Sequence, residues 1–245
     1  MSHTSPPARL GFLYPGHAAE DDYPLMGALM APPAQVHLVH TQFLEDAHTV
    51  EALSEMGSVA RLTKGAASLV GSGIESVLWT STSASFVLGL EGIRQQIDTL
   101  EKLLNVPAST TAMAFARAVK AIDAGTVAIA ATYPEDVAER FNGFLSHFGI
   151  DVVHLSSRGI ATAAEVGTLG KDEVIQFALA NSENDADALL IPDTALHSAA
   201  WLADLEQATG KAVLTANQVS FWEALRLCGK LKPVTGLGRL FQAVE

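Results

Sequence analysis

Seven short apolar runs alternate with stretches of helical period along almost the whole chain, and that alternation admits few folds. Each run reads as a strand: RLGFLY at 9–14, QVHLVHT at 35–41, SVLWTS at 76–81, TVAIAAT at 126–132, DVVHLS at 151–156, DALLIP at 187–192 and KAVLTA at 211–216. The pattern between them predicts helices over 44–70, 85–104, 108–124, 134–148, 171–183, 198–209 and 218–228. Strands that alternate with helices fold as a parallel sheet wrapped by helices, the α/β class.

The pattern also repeats. GFLYPGHAAEDDYPLMGAL and AIAATYPEDVAERFNGFL each run from a strand through Tyr-Pro into an acid-rich helix start, which matches Tyr14-Pro15 with Tyr133-Pro134. A second pair, LWTSTSASF and ALLIPDTALHS, matches Ser81 with Asp193 and Thr82 with Thr194. Two similar parallel-sheet α/β halves are therefore expected to face each other across a cleft. The first would be built from 1–107 plus 218–245 and the second from 108–217. Ligands of open parallel sheets lie beyond the carboxyl ends of the strands, where all four repeated loops fall.

Composition narrows the partners. A chain of 245 residues that is 49% hydrophobic can bury a sizeable core. No apolar run nears the roughly 18 residues of a membrane span. With 27 acidic against 15 basic residues the net charge is −12, and no Lys/Arg stripe appears, which speaks against nucleic acid or an anionic membrane. The opening MSHTSPPAR lacks the apolar core of a signal peptide. One cysteine, Cys228, permits neither an internal disulfide nor a thiolate cluster, and it reads as a small core residue. The expectation is a soluble cytoplasmic protein, with homo-oligomerisation left open.

The cleft would receive Pro15, His17, Ser81, Thr82 and Ser83 from the first half, and Tyr133, Asp193, Thr194 and His197 from the second. Hydroxyls and helix-start amides without a lysine or arginine suit a carboxylate, or an oxyanion that forms during a reaction. Taken singly, each hydroxyl also reads as an ordinary helix cap. Recurrence of the pattern in both halves favours a binding site. Either His17 or His197 could be a proton shuttle, a role open to histidine as a residue type. Asp193 and His197, four residues apart, would with His17 form the ligand set of a metal hydrolase, although such spacing is common by chance. His37 and His40 read as strand residues, and His48, His147 and His154 carry no signal.

Five stretches together resemble the aspartate/glutamate racemase superfamily, in the branch that holds arylmalonate decarboxylase and maleate cis-trans isomerase. They are STSASF (81–86), ATYPEDVAERF (131–141), DALLIPDTALHS (187–198), LEQATGKAVLTANQVSFWEALRLCG (205–229) and GLGRLF (236–241). The resemblance extends over essentially the whole chain. It implies a pseudo-twofold pair of α/β halves with the site between them. It also implies an enediolate-type intermediate, formed when a proton or CO2 leaves the carbon next to a carboxylate. By the same resemblance, the hydroxyls of Thr82, Ser83 and Tyr133 and the Thr194 backbone N–H would form a dioxyanion hole. The apolar part of a small carboxylate substrate would meet Pro15, Trp79 and Phe86. That chemistry needs no organic cofactor and no metal.

The chain departs from the family where the chemistry is carried. Racemases and isomerases of the superfamily place a cysteine at the end of each matching strand, and the decarboxylase keeps the second. Here those positions are Ser81 and Asp193. A serine hydroxyl is a poor acid or base without a partner, so racemisation through two thiolates is not expected. Asp193 would deliver the proton instead, because desolvation and a neighbouring substrate carboxylate both favour a protonated carboxyl. Three readings stand: decarboxylase- or isomerase-like catalysis by Asp193 with Ser81 opposite, carboxylate binding without turnover, and the Asp193–His197–His17 metal hydrolase.

Overall fold

The computed structural model describes residues 6–182 and 185–243. Its strands are β1 (Arg9–Pro15), β2 (Gln35–Thr41), β3 (Ser76–Trp79), β4 (Ala108–Thr110), β5 (Thr126–Ala131), β6 (Asp151–Ser157), β7 (Ala188–Ile191) and β8 (Ala212–Thr215). The helices of the first half are α1 (Asp22–Ala28), α2 (Val50–Met56), α3 (Val59–Ala66), α4 (Ser83–Phe86), α5 (Gly89–Leu104) and α6 (Thr111–Ala121). Then follow α7 (Glu135–Ser146), α8 (Ala163–Val166), α9 (Lys171–Ala180), α10 (Leu202–Thr209) and α11 (Ala216–Leu227).

The strands form two parallel four-stranded sheets ordered β2-β1-β3-β4 and β6-β5-β7-β8, the same order shifted by four strands. Two similar halves are thus built into the topology, as the repeat implied. The inner strands β3 and β7 are buried at every residue, because helices cover both faces of a parallel sheet, and the edge strands β4 and β8 are buried as well. The edge strands β2 (QVHLVHT) and β6 (DVVHLSS) mix in polar residues and stay partly exposed. One continuous core runs through both sheets, from Phe12 and Val77 to Ile129 and Leu190, with α6 packed on α11 at its centre. The late helix α11 also touches β1, β3 and β4, so it returns to the first sheet.

Two expectations need correction. Residues 44–70 are not one helix: 42–49 is an irregular loop, Thr49 caps α2 by accepting from Ala52 N, and Ser58 caps α3 by accepting from Arg61 N. These side-chain acceptors satisfy orphan N–H groups and so restart the helix twice. Residues 108–124 open with a strand, β4, which pairs with β3, so the first sheet extends past residue 107. Residue 183, the last of the helix expected over 171–183, lies outside the described residues, as do 1–5 of the opening MSHTSPPAR. No helix among the described residues is long and apolar enough to cross a membrane.

Candidate active site

Each sheet ends in a polar loop, and the ends face each other. After β3, Thr80 anchors the chain to β1 by donating its N–H and its hydroxyl to Leu13 O at 2.9 and 2.6 Å. Ser81 then turns the chain into α4, its Oγ accepting from Ala84 N at 3.2 Å and its carbonyl from the Ser85 hydroxyl at 2.9 Å. After β7, the Asp193 carboxylate accepts from the Thr132 hydroxyl through Oδ2 and from Ala195 N at 2.9 Å through Oδ1. Ser81 and Asp193, the matched pair of the repeat, line one cavity together with Ser83, Thr194 and Pro15. The two halves therefore contribute their strand ends to a common site.

That cavity is small, about 30 Å³, room for little more than a carboxylate-sized group. Its remaining wall is apolar and acidic: Phe43, Leu53, Met56, Asp46 and His48 from the segment after β2, and Ala163 and Ala195 from the second half. No lysine or arginine lines it among the described residues. An anion there must be held by hydroxyls and amides, which fits the residues present.

Thr82 supplies the sharpest polar feature. It is 1% exposed, and its hydroxyl has no hydrogen-bond partner among the described residues. Burying a hydroxyl without a partner is costly. Among the described residues Thr41, Trp79, Gln96 and Ser156 each bury an unpartnered polar atom too, and Thr82 lies behind the cavity lining rather than in it. It stands beside the phenol of Tyr133, whose hydroxyl donates to Pro192 O. Burial, and then the nearby Asp193 carboxylate, hold the Tyr133 phenol well above its ordinary value. Tyr133 is therefore a permanent donor, and in this structure it braces the loop that carries Asp193. Tyr14, raised in the same way chiefly by burial, donates to Thr194 O at 2.8 Å and accepts from Ala19 N at 3.0 Å.

Not every expected residue reaches the cavity: Thr82 and Tyr133, expected among the carboxylate-binding groups, are buried behind its lining. The His17 side chain is 75% exposed and turns to Glu20 at 3.1 Å and onto the ring of His40. His197 bonds Asp21 at 2.9 Å. Neither lines the cavity with Asp193, so the Asp193–His197–His17 ligand set is not assembled; among the described residues the group that brings ligand atoms together is His17, Glu20 and His40. Trp79 is fully buried in the core, and Phe86 packs on Tyr133 and Phe141. The apolar wall is made instead by Phe43, Leu53 and Met56.

The segment around Asp46 and His48 was missed in the sequence because it reads as part of a helix. It reaches across to the second half. Asp46 accepts from Ala163 N and Ala164 N at 2.8 and 3.0 Å, and His48 N donates to Ala161 O at 2.7 Å. His48 Nδ1 is 2.8 Å from Ile160 O, and a carbonyl can only accept, so Nδ1 carries the proton in the neutral ring. The one available signal was Thr49, a cap residue immediately after the histidine.

Residues 24–241 match the family model described as arylmalonate decarboxylase. A curated relative, arylmalonate decarboxylase of Bordetella bronchiseptica, is 26% identical over 165 residues, which cover 65% of this chain and 68% of that protein. Among solved structures, the maleate isomerase of Pseudomonas putida is 19% identical with a TM-score of 0.87, covering 97% of this chain and 99% of the other. Unliganded arylmalonate decarboxylase is 22% identical with a TM-score of 0.79, covering 98% and 100%. A mutant of the Nocardia farcinica maleate cis-trans isomerase that carries a covalently bound succinylcysteine intermediate is 21% identical, with a TM-score of 0.87 and coverage of 97% and 99%.

Proposed function

The chain belongs to the arylmalonate decarboxylase family, and from that premise we propose that it is a cofactor-independent lyase or isomerase that acts on a small carboxylate through an enediolate. CO2 leaves the carbon next to a retained carboxylate, or ionised Asp193 as general base takes a proton from that carbon, and the electron pair moves onto the carboxylate. The Thr82 and Ser83 hydroxyls, with the Thr194 backbone N–H, receive the growing charge. Asp193, as general acid, returns a proton to the carbon and is reprotonated from solvent; Ser81 lines the opposite wall. Tyr133 holds the Asp193 loop by donating its one O–H to Pro192 O, and would join Thr82 at the anion only by turning that donor away from Pro192.

The observation that carries this reading is the small cavity that both halves close, lined by Ser81, Ser83, Asp193 and Thr194 and, among the described residues, by no lysine or arginine. Preorganised donors aimed at developing charge are the largest single contribution in many such reactions. No cysteine lines the cavity among the described residues, so a covalent cysteine adduct, as in the Nocardia farcinica mutant, is not part of the proposal.

Incubation in D2O with substituted malonates, maleate and amino acids, followed by proton NMR, tests it. Solvent deuterium should enter a C–H bond next to a carboxylate, with release of CO2 or a change of isomer for the true substrate class. A carboxylate that binds in calorimetry, yet shows neither exchange nor conversion at any pH, would establish carboxylate binding without turnover and overturn the proposal.

A further inference from the structure

His17, Glu20 and His40 form a cluster on the outer side of the β1–α1 loop, separate from the cavity lining. His17 Nδ1 lies 3.1 Å from Glu20 Oε1, and His40 Nε2 lies 3.9 Å from the same oxygen. All three potential ligand atoms fall within 4.8 Å of one another. Ligands about 2.0–2.2 Å from a tetrahedral ion stand roughly 3.3–3.6 Å apart. Glu20 Oε1 is within a few tenths of an ångström of that spacing from each ring, while the two stacked rings must turn for their nitrogens to converge on one ion.

Two of the three groups are already oriented by a second partner. His40 Nδ1 is 2.5 Å from Gly16 O, which can only accept. The proton of the neutral ring therefore sits on Nδ1, and Nε2 presents a lone pair towards Glu20. The other oxygen of Glu20 accepts from Ala18 N at 2.8 Å, which fixes the carboxylate with Oε1 towards both rings. His17 stacks on His40 with ring centroids 3.8 Å apart, and its exposed side leaves room for water as a further ligand.

The geometry points to a divalent transition-metal site at His17 Nδ1, Glu20 Oε1 and His40 Nε2, completed by water. Two imidazoles and one carboxylate select an ion of the zinc, cobalt or nickel kind over magnesium or calcium, which prefer oxygen. Bound there, the ion would join the β1–α1 loop to the end of β2. That loop follows Pro15, and His40 stands edge-on to Tyr14; Tyr14 and Pro15 both line the cavity.

Zinc titration by calorimetry on the full, untagged chain tests the site, with His17→Ala, Glu20→Gln and His40→Ala titrated alongside. Wild-type protein should take up an equivalent of Zn2+ that each variant binds at least about tenfold more weakly, since even an outer partner of a metal ligand is worth about 10–100-fold. Zn2+ should raise the melting temperature of wild type and shift the variants less, and Mg2+ should do neither. Circular dichroism checks that the variants are folded. Zinc uptake equal in wild type and all three folded variants, or no uptake by wild type at millimolar Zn2+, would overturn the assignment.

Discussion

Two hydrogen bonds decide how Asp193 can be tested. Asn at this position keeps an oxygen for Ala195 N, and its amide can face the Thr132 hydroxyl, which rotates to accept. Asp193→Asn should therefore fold and bind carboxylates while losing the transferable proton. Turnover should drop about 10²–10⁴-fold, the usual worth of a general acid or base, and the limb of the pH–rate profile that belongs to this carboxyl should vanish. Thr82→Ala removes a buried methyl and a hydroxyl whose polar neighbour is the Tyr133 phenol, so stability should fall by only about 1 kcal/mol. Its rate should fall about 10²–10³-fold with the wild-type pH profile intact, as for a lost oxyanion donor. Full turnover in Asp193→Asn with an unchanged profile would reduce Asp193 to a loop brace and pass the proton to His48, the titratable ring in the cavity wall. Cys228 provides the complementary check. Its thiol is half-buried, donates to Leu225 O at 3.4 Å, and is pushed above its ordinary pKa chiefly by burial. Iodoacetamide should leave activity unchanged, and loss in step with alkylation of folded protein would place Cys228 in the site.

Among the elements, α2 and α4 depend on each other through one glycine. A Cβ on Gly57 would lie 2.0 Å from Ala84 O, a backbone atom of α4 that cannot swing aside. Buried Gln96 closes the same junction, its Nε2 donating to Gly57 O at 2.8 Å and Ala84 O at 2.9 Å. Gly57→Ala should cost about 1–3 kcal/mol in urea unfolding, the range for overpacking, and should lower kcat/KM as well, because α4 begins at Ser83. Unchanged stability would mean that this junction is loose. The same region shows where sequence patterns stop informing. Helical period continues through 44–70, so the caps at Thr49 and Ser58 were outweighed by the apolar spacing around them. β4 is only Ala108-Ser109-Thr110, too short and too polar to register as an apolar run. The strand ends at Ser81 and Asp193 were legible because each follows a mainly apolar strand and recurs in both halves. The Asp46 and His48 wall was not, because its partners at 160–164 are set by the tertiary fold rather than by neighbours in the chain.

Across the whole molecule, the halves meet at a buried polar seam as well as in a shared core. Asp22 of α1, 3% exposed, accepts from Ser198 N at 3.0 Å, Ala199 N at 3.2 Å and Asn217 Nδ2 at 3.0 Å. Asn217 also donates to Thr194 O at 3.1 Å and accepts from the Tyr23 hydroxyl at 3.1 Å. A first-half helix thereby fixes the second-half loop that lines the cavity. Burial raises the Asp22 carboxyl above its ordinary value of 3.8, although Asn217 and the two backbone donors oppose the shift. Below 3.8 both folded and unfolded chains hold this proton. As the pH climbs from there towards the raised value, the unfolded chain releases it first, so the Asp22 contribution to stability falls; beyond the raised value the loss is constant. Asp22→Asn cannot titrate. Its amide oxygen can take the place of Oδ2, where the donors meet, but the buried N–H2 then needs an acceptor in place of Oδ1, at a cost of about 1–3 kcal/mol. Urea unfolding of both proteins across this pH range should show the deficit of the variant largest at the acidic end and shrinking as the pH rises. A deficit that stays constant, or that grows with pH, would mean that the folded protein does not hold the Asp22 proton more tightly than the unfolded chain.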